Sequence, residues 1–176
     1  PTREDELKAL EAFYACTDFV DDCIGEVLTG LEQAGMLENT IIIYTSDHGD
    51  MVGRHGLWGK KVYYDESVRV PFLISGPGIK PGSHTWAEPV SLMDLFPTTC
   101  KLAGLAIPEG LDGVDQSEAF STLDSQKAPR EYATSSFYYY GTRINYRVVP
   151  ENTPQRAMRL VRTRDWKYVQ VEQGEE

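Results

Sequence analysis

Asp47 and His48 stand side by side, and together they offer one cation a carboxylate oxygen and an imidazole nitrogen. They come after the β-branched run Thr40-Ile41-Ile42-Ile43-Tyr44-Thr45 and Ser46, and Gly49 is directly beyond them. Where a chain turns out of a strand, adjacent side chains need not point in opposite directions, so neighbours can face one ion. Gly49 permits a sharp backbone turn close to that ion. The same residues suit a second reading equally well, an Asp-His pair capping a turn. Lys60 lies twelve residues beyond His48 in a Gly-rich loop. Its ammonium is a compact point charge suited to an oxyanion such as sulfate or phosphate. Lys61 is its alternative, and a solvated surface lysine is the ordinary outcome for either. His55 in the same loop either contacts substrate or packs locally. Asp50 either binds solvent or stabilises the loop. Glu66 and Arg69 can pair across one turn and anchor the loop to the next strand.

The elements that must position these groups are legible from periodicity. Residues 3 to 34 place Leu7, Leu10, Phe13, Tyr14, Thr17, Val20, Ile24, Val27, Leu28 and Leu31 at three- and four-residue steps, which predicts a long helix stopped by Gly35. The run from Thr40 to Thr45 lacks polar alternation, as a parallel strand buried on both faces does. Asp47 and His48 would then sit at the carboxyl end of a strand, where open α/β sheets bind ligands. A Gly-rich loop, with a short helix near 64–67, leads into a second strand over 68–75. Pro71 favours an edge position or the strand's start there. Gly76-Pro77-Gly78 and Lys80-Pro81-Gly82 mark turns. Another helix is expected over 90–104, with Ser91 as N-cap, Asp94 completing a capping box and Gly104 closing it. Beyond about residue 115 the character changes. A short helix over 116–127, an aromatic strand over 132–140 and a hairpin over 156–171 turning at Thr163-Arg164-Asp165 suit a small antiparallel sheet with one wet face. Gln173 to Glu176 show no clear terminal element. Trp58 and the run Phe137-Tyr138-Tyr139-Tyr140 read as packing, and His84 as a surface residue.

The 176 residues carry a formal charge of -10, a poor match for wrapping nucleic acid or docking on an anionic bilayer. No stretch approaches the roughly 20 apolar residues of a membrane span. The polar start Pro1-Thr2-Arg3-Glu4-Asp5 is no signal peptide, though this says little about compartment. Three cysteines without CxxC spacing argue against a disulfide framework or a structural zinc. Cys16 and Cys23, seven apart on one helix face, read as buried apolar residues.

The stretch from Thr40 to Gly78 joins a strand, Ser-Asp-His-Gly, Gly-Leu-Trp-Gly-Lys, Glu-Ser-Val-Arg-Val-Pro and Gly-Pro-Gly. This combination resembles the C-terminal metal segment of type I sulfatases, in the alkaline phosphatase-like superfamily. Weaker similarity extends over most of the chain. Tyr14, Asp22, Gly25 and Glu26 resemble a family helix, and Asp94-Leu95-Phe96-Pro97-Thr98 resembles another. Leu111-Asp112-Gly113-Val114-Asp115 resembles a family turn, and the Trp166-Lys167-Tyr168 hairpin its small C-terminal sheet.

The resemblance implies an α/β fold: part of an alkaline phosphatase-like mixed sheet flanked by helices, then a small antiparallel sheet. Residues 1–115 would belong to the catalytic domain and 116–176 to a small C-terminal subdomain. It implies Asp47 and His48 as metal ligands and Lys60 as the residue that binds the sulfate oxygens and steadies the leaving group. His55 is a further candidate for substrate contact. The family's metal is commonly calcium, sometimes magnesium or manganese, and imidazole is an unusual calcium ligand. Its nucleophile is a formylglycine made from Cys or Ser in Cys/Ser-x-Pro-x-Arg. No Cys or Ser here stands in that motif, and the family's N-terminal Asp-Asp metal pair is absent too. The expectation is a C-terminal part of a sulfate ester hydrolase, inactive alone, that exposes a sheet edge and apolar helix faces and self-associates. A phosphonate monoester or phosphodiester hydrolase, and a non-catalytic interaction module, are the alternatives.

Overall fold

The computed structural model describes residues 2–138, 143–144, 147–148 and 157–172. They form two units, Pro1–Pro81 and Gly82–Glu176.

The first unit opens with α1 (Arg3–Gln33). Thr2 and Asp5 build a capping box: the Asp5 amide donates to the Thr2 hydroxyl, and the Asp5 carboxylate accepts from the Thr2 amide at 2.8 Å. The helix ends as expected at Gly35. With φ at 67°, Gly35 enters the left-handed region, and the Met36 amide reaches back to the Leu31 carbonyl at 2.9 Å. No residue of α1 is buried. Phe13, Tyr14, Phe19 and Val27 are exposed, in line with the expected bare helix faces. Cys16 and Cys23 are exposed as well, which corrects their reading as buried; only Cys100 is buried. Seven-residue spacing reports a shared face, not what covers it.

The expected strands are shorter than their sequence signals, β1 (Ile42–Thr45) and β2 (Phe72–Ser75). Pro71 immediately precedes β2, at its start. The two pair antiparallel, Ile42 with Ser75 and Thr45 with Phe72, and β1 is half-buried throughout. This corrects the parallel, doubly buried reading. A continuous β-branched run records apolar content on both faces and carries no information on the partner's direction. At Gly76, with φ at 124°, an added Cβ would lie 2.5 Å from the Thr40 carbonyl oxygen, so only glycine lets the chain leave β2 so close to the start of β1. Between the strands, α2 (Asp65–Val68) forms the expected short helix.

In the second unit, Ser91 and Asp94 form the expected capping box around a single 3-10 turn, Leu92–Asp94, from which α3 (Leu95–Leu102) continues. α4 (Ser117–Thr122) covers the first half of the expected 116–127 helix. It stops at Leu123, whose φ is 56°, before a 3-10 turn over Ser125–Lys127. β3 (Ala133–Tyr138), β6 (Ala157–Arg162) and β7 (Lys167–Glu172) make an antiparallel sheet in the order β3-β6-β7. The strands β4 (Arg143–Ile144) and β5 (Arg147–Val148) pair separately. Leu160 is buried on one face, while Arg159, Val161, Tyr168 and Gln170 face water on the other. The expected wet face is therefore present. Tyr139, Tyr140, Arg156 and the stretch 173–176 lie outside the described residues.

The second unit is organised around the Asp94 carboxylate, which is 1% exposed. It accepts from the Ser91 amide at 3.0 Å, the Val114 amide at 3.0 Å and the Gln116 side-chain amide at 2.9 Å, and it pairs with Arg130. The Gln116 amide also donates to the Thr98 hydroxyl at 3.0 Å. Gly113 lies against this knot, where a Cβ would come 1.9 Å from the Met93 carbonyl oxygen. The Asp-Leu-Phe-Pro-Thr helix and the Leu-Asp-Gly-Val-Asp turn are thus two halves of one polar lock. Among the described residues, no helix is long and apolar enough to cross a membrane.

Candidate active site

β1 ends at Thr45, and the chain turns through Ser46, Asp47 and His48. The Ser46 hydroxyl donates to the His48 carbonyl at 2.8 Å, holding that turn. Gly49 then passes under α2, its amide donating to the Ser67 carbonyl at 2.9 Å. A Cβ on Gly49 would sit 1.9 Å from the Glu66 carbonyl oxygen. Glycine is thus required here by the approach of another backbone, which corrects the reading that assigned it to a sharp turn near an ion; its φ is not positive.

The Asp47 side chain is 82% exposed and the His48 ring 37%, and Asp47 Oδ2 lies 3.5 Å from His48 Nε2. His48 Nδ1 lies 2.7 Å from the Gly49 carbonyl oxygen. A carbonyl only accepts, so Nδ1 carries the proton and, in the neutral ring, Nε2 presents its lone pair. This is the tautomer that a metal-ligating imidazole adopts when its other nitrogen donates to a backbone carbonyl. One exposed carboxylate and, beside it, one half-buried nitrogen lone pair are chemically fit to hold a divalent cation in part. They are two ligands only: the described residues hold no cluster of three or more His, Cys, Asp or Glu side chains able to bind a metal.

The Lys60 ammonium reaches the same point and hydrogen-bonds His48 Nε2. Of the two lysines that spacing alone cannot separate, it is Lys60 whose ammonium meets His48. His55 stands at the tip of the loop, exposed and left-handed at φ 54°, with its ring stacked on Tyr64 at 4.3 Å. No sequence pattern signals this stacking, because the partners are nine residues apart in irregular backbone. Trp58 lies across Gly53, where an added Cβ would come 3.3 Å from the indole. Asp50 takes the loop-stabilising alternative, accepting from the Val52 amide at 2.8 Å and the Gly59 amide at 3.2 Å. Among the described residues no ion pair joins Glu66 to Arg69. α2 is anchored instead by its backbone contact with Gly49.

A family model described as Sulfatase matches residues 1–105. The chain belongs to the sulfatase family. It is 36% identical over 141 residues to a choline-sulfatase of Rhizobium meliloti (strain 1021), covering 78% of this chain and 27% of that protein. It is 31% identical over 178 residues to arylsulfatase K of Homo sapiens, covering 96% of this chain and 30% of the relative. Among solved structures, a protein in complex with its substrate D-glucosamine-2-N,6-O-disulfate superposes with a TM-score of 0.65 at 27% identity, over 88% of this chain and 31% of that one. The phosphonate monoester hydrolase from Silicibacter pomeroyi superposes with a TM-score of 0.67 at 27% identity, over 88% of this chain and 32% of its own. The sulfatase chain therefore has the α/β, alkaline phosphatase-like fold. It spans about a third of the length of the relatives it matches. Sulfatases generally use a metal ion and a formylglycine.

Proposed function

We propose that this chain supplies the Asp47, His48 and Lys60 side of a site that hydrolyses sulfate esters. The observation that carries the reading is the meeting of the Asp47 carboxylate, the His48 Nε2 lone pair and the Lys60 ammonium beyond the end of β1. Asp47 and His48 would hold the divalent cation, for which we propose calcium, with magnesium and manganese as the ions to compare. The ion, when bound, supplies Lewis-acid charge to the ester oxygens. His48 Nε2 has a single lone pair, so were it to hold a cation, the Lys60 ammonium that it now accepts from would be free to face the substrate. There Lys60 binds a sulfate oxygen and steadies charge developing on the leaving group. His55, exposed on the same loop, is the second residue we assign to substrate binding. The formylglycine nucleophile would come from residues beyond this sequence, which contains no Cys/Ser-x-Pro-x-Arg.

The structural similarity to the phosphonate monoester hydrolase supports a second reading, hydrolysis of a phosphonate monoester at the same groups. The two separate by rate. The intact protein is given an aryl sulfate and an aryl phosphonate monoester with the same leaving group. The sulfatase reading requires the higher kcat/KM on the sulfate, and the reverse order transfers the site to phosphonate chemistry.

A further inference from the structure

We infer that Asp50 is a positioning residue of this site, a clamp that sets Lys60 against His48 by closing the loop between them. The inference rests on the sulfatase reading for its kinetic consequence but not for its geometry.

The segment from 50 to 59 is a narrow double-backed loop. The Met51 amide donates to the Gly59 carbonyl at 2.8 Å, the Gly53 amide to the Leu57 carbonyl at 2.9 Å, and the Arg54 amide to the Met51 carbonyl at 2.7 Å. Asp50 Oδ1 adds the two bonds that backbone alone cannot make, from the Val52 amide at 2.8 Å and the Gly59 amide at 3.2 Å. Both polar groups of Gly59 are thereby tied to residues 50 and 51, and the next residue is Lys60. The loop is also strained. Val52, a β-branched residue, has φ at 44°, and Lys61 has φ at 80°. L-residues hold such angles only where surrounding bonds over-determine them. At Val52 the Asp50 carboxylate is one of those bonds. Just past Lys60, the left-handed Lys61 directs the chain away from the loop. Asp50 lies two residues after His48 and so links the backbone that carries the imidazole to the backbone that carries the ammonium. Its carboxylate is spent on amides rather than on a ligand, so its place in the mechanism is indirect.

The test compares D50A, D50N and K60A in the intact protein. Asn keeps an oxygen for the two amides, and Ala does not. The activity-independent readout is the side-chain 15N resonance of His48, recorded without added metal. The inference requires D50A to move it to the K60A position and D50N to leave it at the wild-type position. A wild-type resonance in folded D50A overturns the inference, and so does a K60A-like resonance in D50N, which still decides the matter where D50A does not fold. In the kinetic arm, D50A lowers kcat/KM for an aryl sulfate by about 100-fold, the scale of a catalytic group displaced by about 1 Å. D50A adds little in a K60A background, and D50N stays near wild type. Full additivity of D50A and K60A overturns action through Lys60. If wild type turns over no sulfate ester, the sulfatase reading fails while the His48 resonance still decides the clamp.

Discussion

Replacing Asp94 with Asn is expected to cost the second unit about 3–5 kcal/mol, the usual range for breaking a buried ion pair by removing one partner. The size reflects how the carboxylate is used. One oxygen accepts from Val114 and Arg130, the other from Ser91 and Gln116, and the group is 1% exposed. Whichever way the Asn amide turns, its NH2 faces two donors and leaves them unsatisfied, at about 1–3 kcal/mol for each buried group. These costs overlap, so their sum is an upper bound. Arg130→Met keeps the three N–H donors of Asp94 but leaves its buried charge without a counter-ion, so a cost of similar size is expected. Urea unfolding monitored by Trp86 fluorescence, in a background with Trp58 and Trp166 replaced by Phe, reads the second unit, since Trp86 packs edge-on against Phe120 there. Against a total of about 5–15 kcal/mol for a domain, a loss of this size is plain in the midpoint. A D94N cost below about 1 kcal/mol is incompatible with a carboxylate that satisfies four buried donors.

Gly49→Ala forces a Cβ against the Glu66 carbonyl, so α2 has to shift and the Gly49–Ser67 bond is lost. A cost of about 1–3 kcal/mol is expected from overpacking, with line shifts at Ser67 and His48 in NMR spectra. The Asp5 carboxyl is held below its ordinary range by the Thr2 amide and hydroxyl. Its contribution to α1 is therefore present above the unfolded-state pKa and lost as pH falls through the lowered one. Helicity by circular dichroism is expected to drop over that acid range in wild type and less so in Thr2→Ala. The exposed Phe13, Phe19 and Val27 predict self-association, seen as a sedimentation mass above 19.8 kDa that falls in Phe19→Asp. A monomer at high concentration contradicts this.

Sequence revealed those features that depend on neighbours in the chain. Thr2 with Asp5 and Ser91 with Asp94 are capping boxes because three-residue spacing alone brings hydroxyl, carboxylate and amide together. The hairpin turning at 163–165 and the strand ending before Asp47 are equally local. Contacts between distant residues were hidden. The direction of β1's partner, the bare surroundings of Cys16 and Cys23, and the Glu66 carbonyl pressing on Gly49 depend on where remote backbone lies. Gln116 bonds Asp94 and Thr98 from 22 and 18 residues away, across the point where composition suggested a boundary. At the candidate site, residue type and spacing single out Asp47 and His48 but leave Lys60 and Lys61 as alternatives, and the family resemblance is what favours Lys60. Asp50's two amide bonds required the loop's path.

The most direct test of the central claim is metal-dependent sulfate release by the intact protein, compared among wild type, His48→Ala and Lys60→Ala. If Asp47, His48 and Lys60 act as proposed, chelation abolishes turnover and added calcium restores it. Each substitution is then expected to lower kcat/KM by more than about 100-fold, since metal and oxyanion stabilisation are each worth several kcal/mol. Chelator-insensitive turnover, or wild-type turnover in Lys60→Ala, would contradict the proposal.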